Sequence, residues 1–406
     1  MTDREEATLF DPVEELIEAI ARGEMVIVTD DEGRENEGDF VMAADKVSAE
    51  GINFMTRVGR GLLCVAIQRE RLEKLGLSKM TSRGDRVAFN TAFVESVDAR
   101  SGITTGISAQ DRCRTVQVLV DETSTQQDLA TPGHMFPLEA MPGGVLRRAG
   151  HTEAAVDLAR FAGCAPSGVI CEILSEDGSM ARLPELRKLA DEHGLRMGSI
   201  ADMIAYRRGR EKLVKFVRST DIPTNTGVFS LRLYESLVDG EHHVALVMGQ
   251  PERQESSLAR VHSECLTGDV FGSLRCDCGT QLHAAMEMVS NEGHGVVLYM
   301  RQEGRGIGLE KKIHAYALQQ EKGLDTVEAN EELGLKPDLR DYGIGAQILY
   351  DIGLRKIRLI TNNPRKVVGL DSHGLEIVDR VPLISPINEH SEKYIKTKRD
   401  KLGHWL

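Results

Sequence analysis

The chain has 406 residues and a net charge of −13, with 41% hydrophobic and 28% charged residues. That length exceeds one ordinary core and predicts two domains, and the composition excludes a disordered chain. No apolar run reaches the roughly 18 residues of a membrane helix, and the acidic start MTDREEATLF lacks the features of a secretory signal, so no membrane partner is expected.

Seven cysteines make an odd, thinly spread set, which fits reduced thiols and a cytoplasmic protein. The charge divides unevenly. Residues 1–206 carry 22 basic and 35 acidic side chains, and residues 207–406 carry 28 of each. Neither half has the basic excess of a nucleic-acid binder. An acidic half serves solubility first and divalent cations second.

In chain order, DPVEELIEAIARG predicts a helix with Asp11 as N-cap, Pro12 in its first turn and Gly23 as terminator. A strand, MVIVTD, and an acidic loop, DDEGRENEGD, follow it. Next come the strand GLLCVAI, the strand-like NTAFVESVDA, a helix over 152–162, the strand SGVICEIL and a helix opened by Pro184. A domain boundary is expected at 206/207. Beyond it, GVFSLRLYESL, HHVALVMG, GHGVVLYM and KIRLIT read as strands, with helices over 308–320 and 366–372. The basic end EKYIKTKRDKLGHWL reads as a mobile tail. Alternating strands and helices predict an α/β to α+β class, two mixed helix–sheet domains in tandem.

CLTGDVFGSLRCDC carries Cys265, Cys276 and Cys278 without a fourth cysteine nearby. Three readings stay open at this point: ordinary buried thiols, a structural zinc site closed by a distant residue or by His262 or His283, and a catalytic zinc with an open corner. RVHSE (residues 260–264) supplies a cation, an imidazole, a hydroxyl and a carboxylate directly before the first cysteine. RQEGRGIG and TNNPRK are polar, basic turns after strands, suited to phosphate oxygens.

With DTVEAN, these motifs resemble GTP cyclohydrolase II over roughly residues 210–385. The resemblance implies one zinc ion on Cys265, Cys276 and Cys278, with water in the fourth place. It also implies GTP as substrate, held by Arg260, Val261, His262, Ser263, Glu264, Gln281, Glu303, Gly304, Arg305, Thr326, Thr361 and Lys366. Asp338 becomes the proton acceptor and Arg340 the nucleophile towards the α-phosphate. A guanidinium stays protonated, so charge stabilisation of the phosphoryl transition state is the rival role for Arg340. The implied products are a diaminopyrimidine riboside phosphate, formate and pyrophosphate.

In the first half, RENEGD crowds carboxylates after a strand end, where hard cations find oxygen ligands, although such runs are commonly solvated turns. His134 lies in GHMFPL. His151 stands before a helix with Arg147 and Arg148 nearby, and Glu172 sits inside an apolar strand. A buried carboxylate must be paired, metal-bound or raised in pKa. Together with TTGISAQDR these resemble 3,4-dihydroxy-2-butanone 4-phosphate synthase over roughly residues 10–206.

That resemblance implies conversion of ribulose 5-phosphate to the four-carbon ketone phosphate plus formate. Glu35 and His151 would hold magnesium or manganese, two ions per site. Arg34, Asp39, Arg148, Ala149, Gly150 and Thr152 would hold the sugar phosphate, and His134 and Glu172 would move protons. Thr131, Glu139 and the stretch from Thr81 to Phe93 depart from the family pattern, and the lost positive charge is expected to weaken phosphate binding. Both families are commonly homodimeric. Together the resemblances imply a two-enzyme chain of riboflavin biosynthesis. The rivals are a zinc-dependent binding module with an inert first half, and an enzyme with one live half.

Overall fold

A computed structural model describes residues 9–32, 34–80, 91–335, 340, 342–363, 366, 374–383, 391–401, 403 and 405. The chain divides into two compact units, Met1–Arg207 and Arg208–Leu406. Each is a seven-stranded mixed sheet with helices, as the alternating pattern predicts. No helix among the described residues is long and apolar enough to cross a membrane.

The first unit runs α1 (Val13–Ala21), β1 (Val26–Thr29), β2 (Gly38–Ala43), α2 (Ala49–Phe54), β3 (Cys64–Gln68), α3 (Arg69–Lys74) and β4 (Val97–Ala99). It continues through α4 (Ala109–Val120), β5 (Leu129–Ala140), α5 (His151–Phe161), β6 (Ser167–Glu172), α6 (Leu183–His193), β7 (Arg196–Ser199) and α7 (Ile200–Arg210). The sheet order is β4-β5-β3-β6-β2-β1-β7.

Side chains alternate across a strand, and here both faces are covered, so the strands read as continuous apolar runs. Val26, Val28, Val41, Ala43, Cys64 and Ala66 pack on α1 and α5. Ile27, Phe40, Met42, Val65 and Ile67 pack on the opposite cluster with α2 and α4. Nine residues of α5 are buried, among them Glu153 and Asp157. Arg148 pairs with Glu153 at 2.6 Å and Arg207 with Asp157 at 2.8 Å, the partners a buried carboxylate requires.

Two local expectations are corrected. Asp11 does not cap α1. Its carboxylate instead accepts from the Met197 N–H at 2.8 Å and pairs with Arg196 at 2.8 Å, tying the chain start to β7. Of NTAFVESVDA only Val97–Ala99 forms a strand, because Phe93 and Val94 make isolated bridges to Leu138 and Lys79 instead of a ladder.

The second unit opens with an antiparallel meander, β8 (Val214–Thr224), β9 (Gly227–Ser236) and β10 (His242–Met248). β11 (Ser257–Ser263), α8 (Leu266–Asp269), α9 (Cys278–Glu292), β12 (Gly295–Met300), α10 (Gly308–Lys322) and α11 (Thr326–Glu332) follow. α12 (Gly343–Ile352), β13 (Lys356–Ile360), β14 (Glu376–Val381) and α13 (Glu392–Asp400) complete it. In the order β14-β13-β11-β12-β10-β9-β8, the first four strands are mutually parallel. Phe229, Leu258, Val297 and Ile360 pack with α9 on one face, and Gly345 of α12 lies against Leu298, Met300 and Val261 on the other.

The expected mobile tail is instead a helix, α13, with Ile395, Thr397 and Lys398 buried. The helix expected over 366–372 lies outside the described residues except for Lys366.

Candidate active sites

In the first unit the turn between β1 and β2 is organised by a residue the sequence reading passed over. Asp30 accepts from the backbone N–H groups of Glu35 (3.0 Å) and Glu37 (2.8 Å) and from the Arg34 guanidinium (2.8 Å). This fold-back brings ligand atoms of Asp30, Glu35 and His151 within 4.8 Å of one another. His151, the first residue of α5, stands 3.9 Å from Glu35 and 4.0 Å from Asp39, too far to hydrogen-bond either. His151 Nε2 and Asp39 Oδ1 are buried with no hydrogen-bond partner among the described residues.

Asp39 on β2 is the register partner of Glu172 on β6. Burial first, then the charges of Glu172 and Glu35, pushes the Asp39 carboxyl well above its ordinary range. Burial likewise raises Glu172, although the Leu62 N–H donates to it at 2.8 Å. Burial pushes the His151 imidazole down to about 4. Like charges packed this densely favour a bound cation. Orphaned carboxylate and imidazole donors in an oxygen-rich set suit magnesium or manganese.

His134 on β5 is fastened to another carboxylate, Asp98 on β4. Its ring Nδ1 lies 2.7 Å from Asp98 Oδ2, and its backbone N–H donates to Oδ1 at 3.0 Å. An ionised Asp98 holds the proton on Nδ1 and leaves Nε2 as the accepting nitrogen on a half-exposed ring. Gly106 of TTGISAQDR lies hard against this pair, and a Cβ there would come within 2.3 Å of Asp98 and 2.6 Å of His134. Asp111 of the same motif pins the loop through Thr104 and Gly106.

Of the expected phosphate holders, Arg34 is engaged with Glu35 at 2.9 Å, and Arg148 with Glu153 and with Thr91 at 3.3 Å. Ala149 precedes Gly150, the N-cap of α5, and Thr152 is buried in its first turn. The acidic departure Glu139 is neutralised by Arg69 (2.7 Å) and Lys79 (2.9 Å). Thr131 lies on β5, and residues 81–90 lie outside the described residues.

In the second unit the functional motifs leave the carboxyl ends of the parallel strands. β11 ends at Ser263 and is followed by Glu264 and Cys265, β12 is followed by residues 301–306, and β13 by residues 361–363. Loops at that edge converge, which is where α/β sheets bind ligands. The sulfurs of Cys265, Cys276 and Cys278 lie within 4.8 Å of one another, and His262 and His283 do not join them. Two sulfurs about 2.3 Å from a tetrahedral zinc stand roughly 3.8 Å apart. Those of Cys265 and Cys276 are 3.7 Å apart. Three soft donors at this spacing fit zinc.

Hydrogen bonds from Cys276 and Cys278, with Lys312 adding its charge, hold the Cys265 thiol low. Lys312 of α10 donates to Cys265 Sγ at 3.2 Å and to Glu303 at 2.7 Å. Burial opposes the Lys312 charge, but Glu303 and Cys265 outweigh it and raise its pKa. Asp269 braces the first cysteine, accepting from the Cys265 N–H (2.9 Å) and the Tyr299 hydroxyl (2.9 Å) and bonding His262 Nε2 (3.1 Å).

Glu303 also accepts from the backbone of Leu266 (2.6 Å) and Gly304 (2.8 Å). Gly304 and Arg305 both adopt left-handed backbone, at φ 61° and 62°. That conformation is free for glycine and costs an arginine of order 1 kcal/mol, which marks the turn as functional.

The sulfurs open onto a cavity of about 240 Å³ whose lining includes Glu264, Glu303, Arg305, Thr326 and Arg340. A second cavity of about 60 Å³ is lined by Arg260, His262, Gln281, Thr361 and Lys366, and shares Arg305 and Arg340 with the first. Arg260 is pushed down to about 10 by burial, yet donates to Gln281 and to the Ile360 carbonyl. The Val261 side chain is buried in the sheet, and its carbonyl accepts from Lys366 at 2.7 Å. Asp338, the expected proton acceptor, lies outside the described residues.

A family model described as 3,4-dihydroxy-2-butanone 4-phosphate synthase matches residues 14–206, and one described as GTP cyclohydrolase II matches residues 215–382. The chain is 56% identical to the riboflavin biosynthesis protein RibBA of Chlorobium phaeovibrioides over 98% of this chain and 97% of the relative. It is 55% identical to the RibBA of Aquifex aeolicus over the full length of both. Among solved structures it is similar to RibBX of A. baumannii, described as a two-domain 3,4-dihydroxy-2-butanone 4-phosphate synthase. The TM-score there is 0.70, with 36% identity over 93% of this chain and 100% of that one. The chain therefore belongs to the bifunctional riboflavin biosynthesis enzymes, a lyase domain of the 3,4-dihydroxy-2-butanone 4-phosphate synthase family followed by a hydrolase domain of the GTP cyclohydrolase II family.

Proposed function

We propose that residues 1–206 convert ribulose 5-phosphate to 3,4-dihydroxy-2-butanone 4-phosphate and formate. Residues 207–406 then act independently, opening the imidazole ring of GTP to release formate and pyrophosphate. The observation that carries this reading is the pairing of each donor set with its matching cavity or charge cluster: sulfurs beside a cation-lined pocket, and crowded carboxylates beside an orphaned histidine.

In the first unit Glu35 and His151, with Asp30 beside them, are the ligands for magnesium or manganese. The bound cations supply positive charge against the oxyanion that develops as the sugar enolises. His134 takes and returns protons through Nε2 while Asp98 fixes its tautomer. Glu172, raised by burial, exchanges a proton near neutral pH more readily than an exposed carboxylate. Arg34, Asp39 and the Arg148–Thr152 stretch hold the sugar phosphate at the start of α5, where backbone N–H groups favour anions.

In the second unit Cys265, Cys276 and Cys278 hold zinc, which supplies Lewis acidity and an activated water. Arg260, Arg305 and Lys366 meet the triphosphate, and Thr361 and Gln281 orient it. Ser263, Glu264, Glu303 and Thr326 line the larger cavity that receives the base and ribose. Asp338 is assigned as proton acceptor on its motif. Arg340 faces both cavities and stabilises charge on the α-phosphate; a covalent nucleotide adduct trapped on it in a single turnover would instead make it the nucleophile. The deciding experiment measures formate released from each substrate separately by metal-loaded protein, alongside zinc content. Formate from neither substrate overturns the reading, and formate from one alone leaves a single live half.

A further inference from the structure

The C-terminal helix α13 begins ten residues after the GTP cyclohydrolase II match ends at 382. It nevertheless forms part of the wall of both cavities: Tyr394 lines each, Thr397 the larger and Lys398 the smaller. The smaller cavity has five cationic side chains in its lining, Arg260, Arg305, Arg340, Lys366 and Lys398, and no carboxylate among the described residues.

A carboxylate that answers two of them stands behind the wall. Asp277, between two of the cysteines, accepts from Lys398 Nζ at 2.5 Å and from Gln281 Nε2 at 2.7 Å; Gln281 in turn accepts from Arg260 at 2.7 Å. One buried carboxylate therefore serves Lys398 directly and Arg260 through an amide. Lys398 is 7% exposed, and burying an ammonium carries a desolvation cost that a methionine at the same place would not. A purely structural helix anchor has no need of that charge. A pocket built for a multiply charged anion does.

We propose that Lys398 is a polyphosphate-binding residue of the nucleotide site, held by Asp277 until the phosphates of a nucleoside triphosphate enter the smaller cavity. The proposal rests on the GTP reading above and adds to it a residue outside the matched family region. The ring of Tyr394 stacks under Lys398 at 4.7 Å and faces Arg305 at 5.9 Å, which keeps α13 against the cations it completes.

The probe is inorganic pyrophosphate, competed against GTP on the full, zinc-loaded chain. Lys398→Ala is expected to raise both the GTP KM and the pyrophosphate inhibition constant about tenfold or more, as loss of a charged hydrogen bond does, with kcat and zinc content changed far less. Asp277→Asn is expected to act in the opposite sense: it leaves the Lys398 charge in place without its carboxylate, so pyrophosphate binds as tightly as before or tighter. Unchanged pyrophosphate affinity in Lys398→Ala overturns the proposal. So does weaker binding in Asp277→Asn, because a merely structural pair fails alike from either side. If the wild-type chain leaves GTP intact, the GTP reading falls, but calorimetric pyrophosphate binding still decides Lys398. Weaker binding in Lys398→Ala with equal or tighter binding in Asp277→Asn supports it, and equal affinities in all three proteins overturn it.

Discussion

The two units each gather a cluster of candidate metal ligands, with opposite donor chemistry. The first gathers hard donors from a turn, a strand and a helix start, and burial first, then the like charges of Glu172 and Glu35, raises the Asp39 carboxyl among them. The second gathers soft donors from one short segment, and a lysine, not a further carboxylate, stands against them. An oxygen site of this kind exchanges its ion readily, while a thiolate site holds its ion tightly. The contrast is one of donor softness: thiolates favour zinc strongly over magnesium, while carboxylates leave magnesium and manganese an accessible place.

The largest effect follows from breaking the contrast on one side only. In Cys276→Ser, GTP-dependent formate should fall by more than about a thousand-fold, the several kcal/mol a Lewis acid supplies, while formate from ribulose 5-phosphate stays within twofold. A brief EDTA treatment followed by gel filtration should do the reverse, removing the first activity, with magnesium alone restoring it. Parallel loss of both activities in either experiment would show that the two sites are not separate.

Next in size is the orientation of His134. Asp98→Asn keeps the shape but can no longer fix Nδ1 as the protonated nitrogen, so kcat for ribulose 5-phosphate should drop roughly a hundred-fold at nearly constant KM. An equal rise in KM would mean that Asp98 shapes the pocket and does not orient the base. Its counterpart in the second unit is Lys312, which donates to Cys265 and to Glu303 at the edge of the larger cavity. Lys312→Met should weaken zinc affinity by about 10–100-fold, read by competition with a chromogenic chelator, the usual scale for a group behind a metal ligand.

These partners mark where the sequence stopped being legible. Donors that follow strand ends are contiguous in the chain, so RENEGD, RVHSEC, RQEGRG and TNNPRK could be read directly. Lys312 is 47 residues from the sulfur it supports, Asp98 is 36 from His134, and Lys398 is 121 from Asp277. No local spacing announces such pairs. One signal was present: Lys312, Ala315, Tyr316 and Gln319 form a helical stripe at spacings of three and four, and all four line the larger cavity. A charged residue within a buried stripe needs a partner, and that expectation alone would have singled out Lys312. The C-terminal tail misled for a related reason. Its basic composition suits solvent, but its lysines are also what a phosphate pocket needs.

Glu139 gives the smallest expected effect and tests whether a departure from family pattern carries energetic weight. Burial raises its carboxyl, but Lys79 and Arg69 more than offset this and hold it below its ordinary value of 4.5. A depressed folded-state pKa means that the ionised carboxylate stabilises the fold above about pH 4.5. That contribution is lost as the pH falls through the folded value. Lys79 and Arg69 are about half exposed, so solvent screens the pairs and the contribution is modest. Glu139→Gln should therefore leave the ribulose 5-phosphate KM within about threefold and flatten the acid limb of a thermal-melting profile without shifting its neutral plateau by more than a degree or two. A KM improved tenfold would show that the Glu139 charge reaches the substrate phosphate despite its two cationic partners.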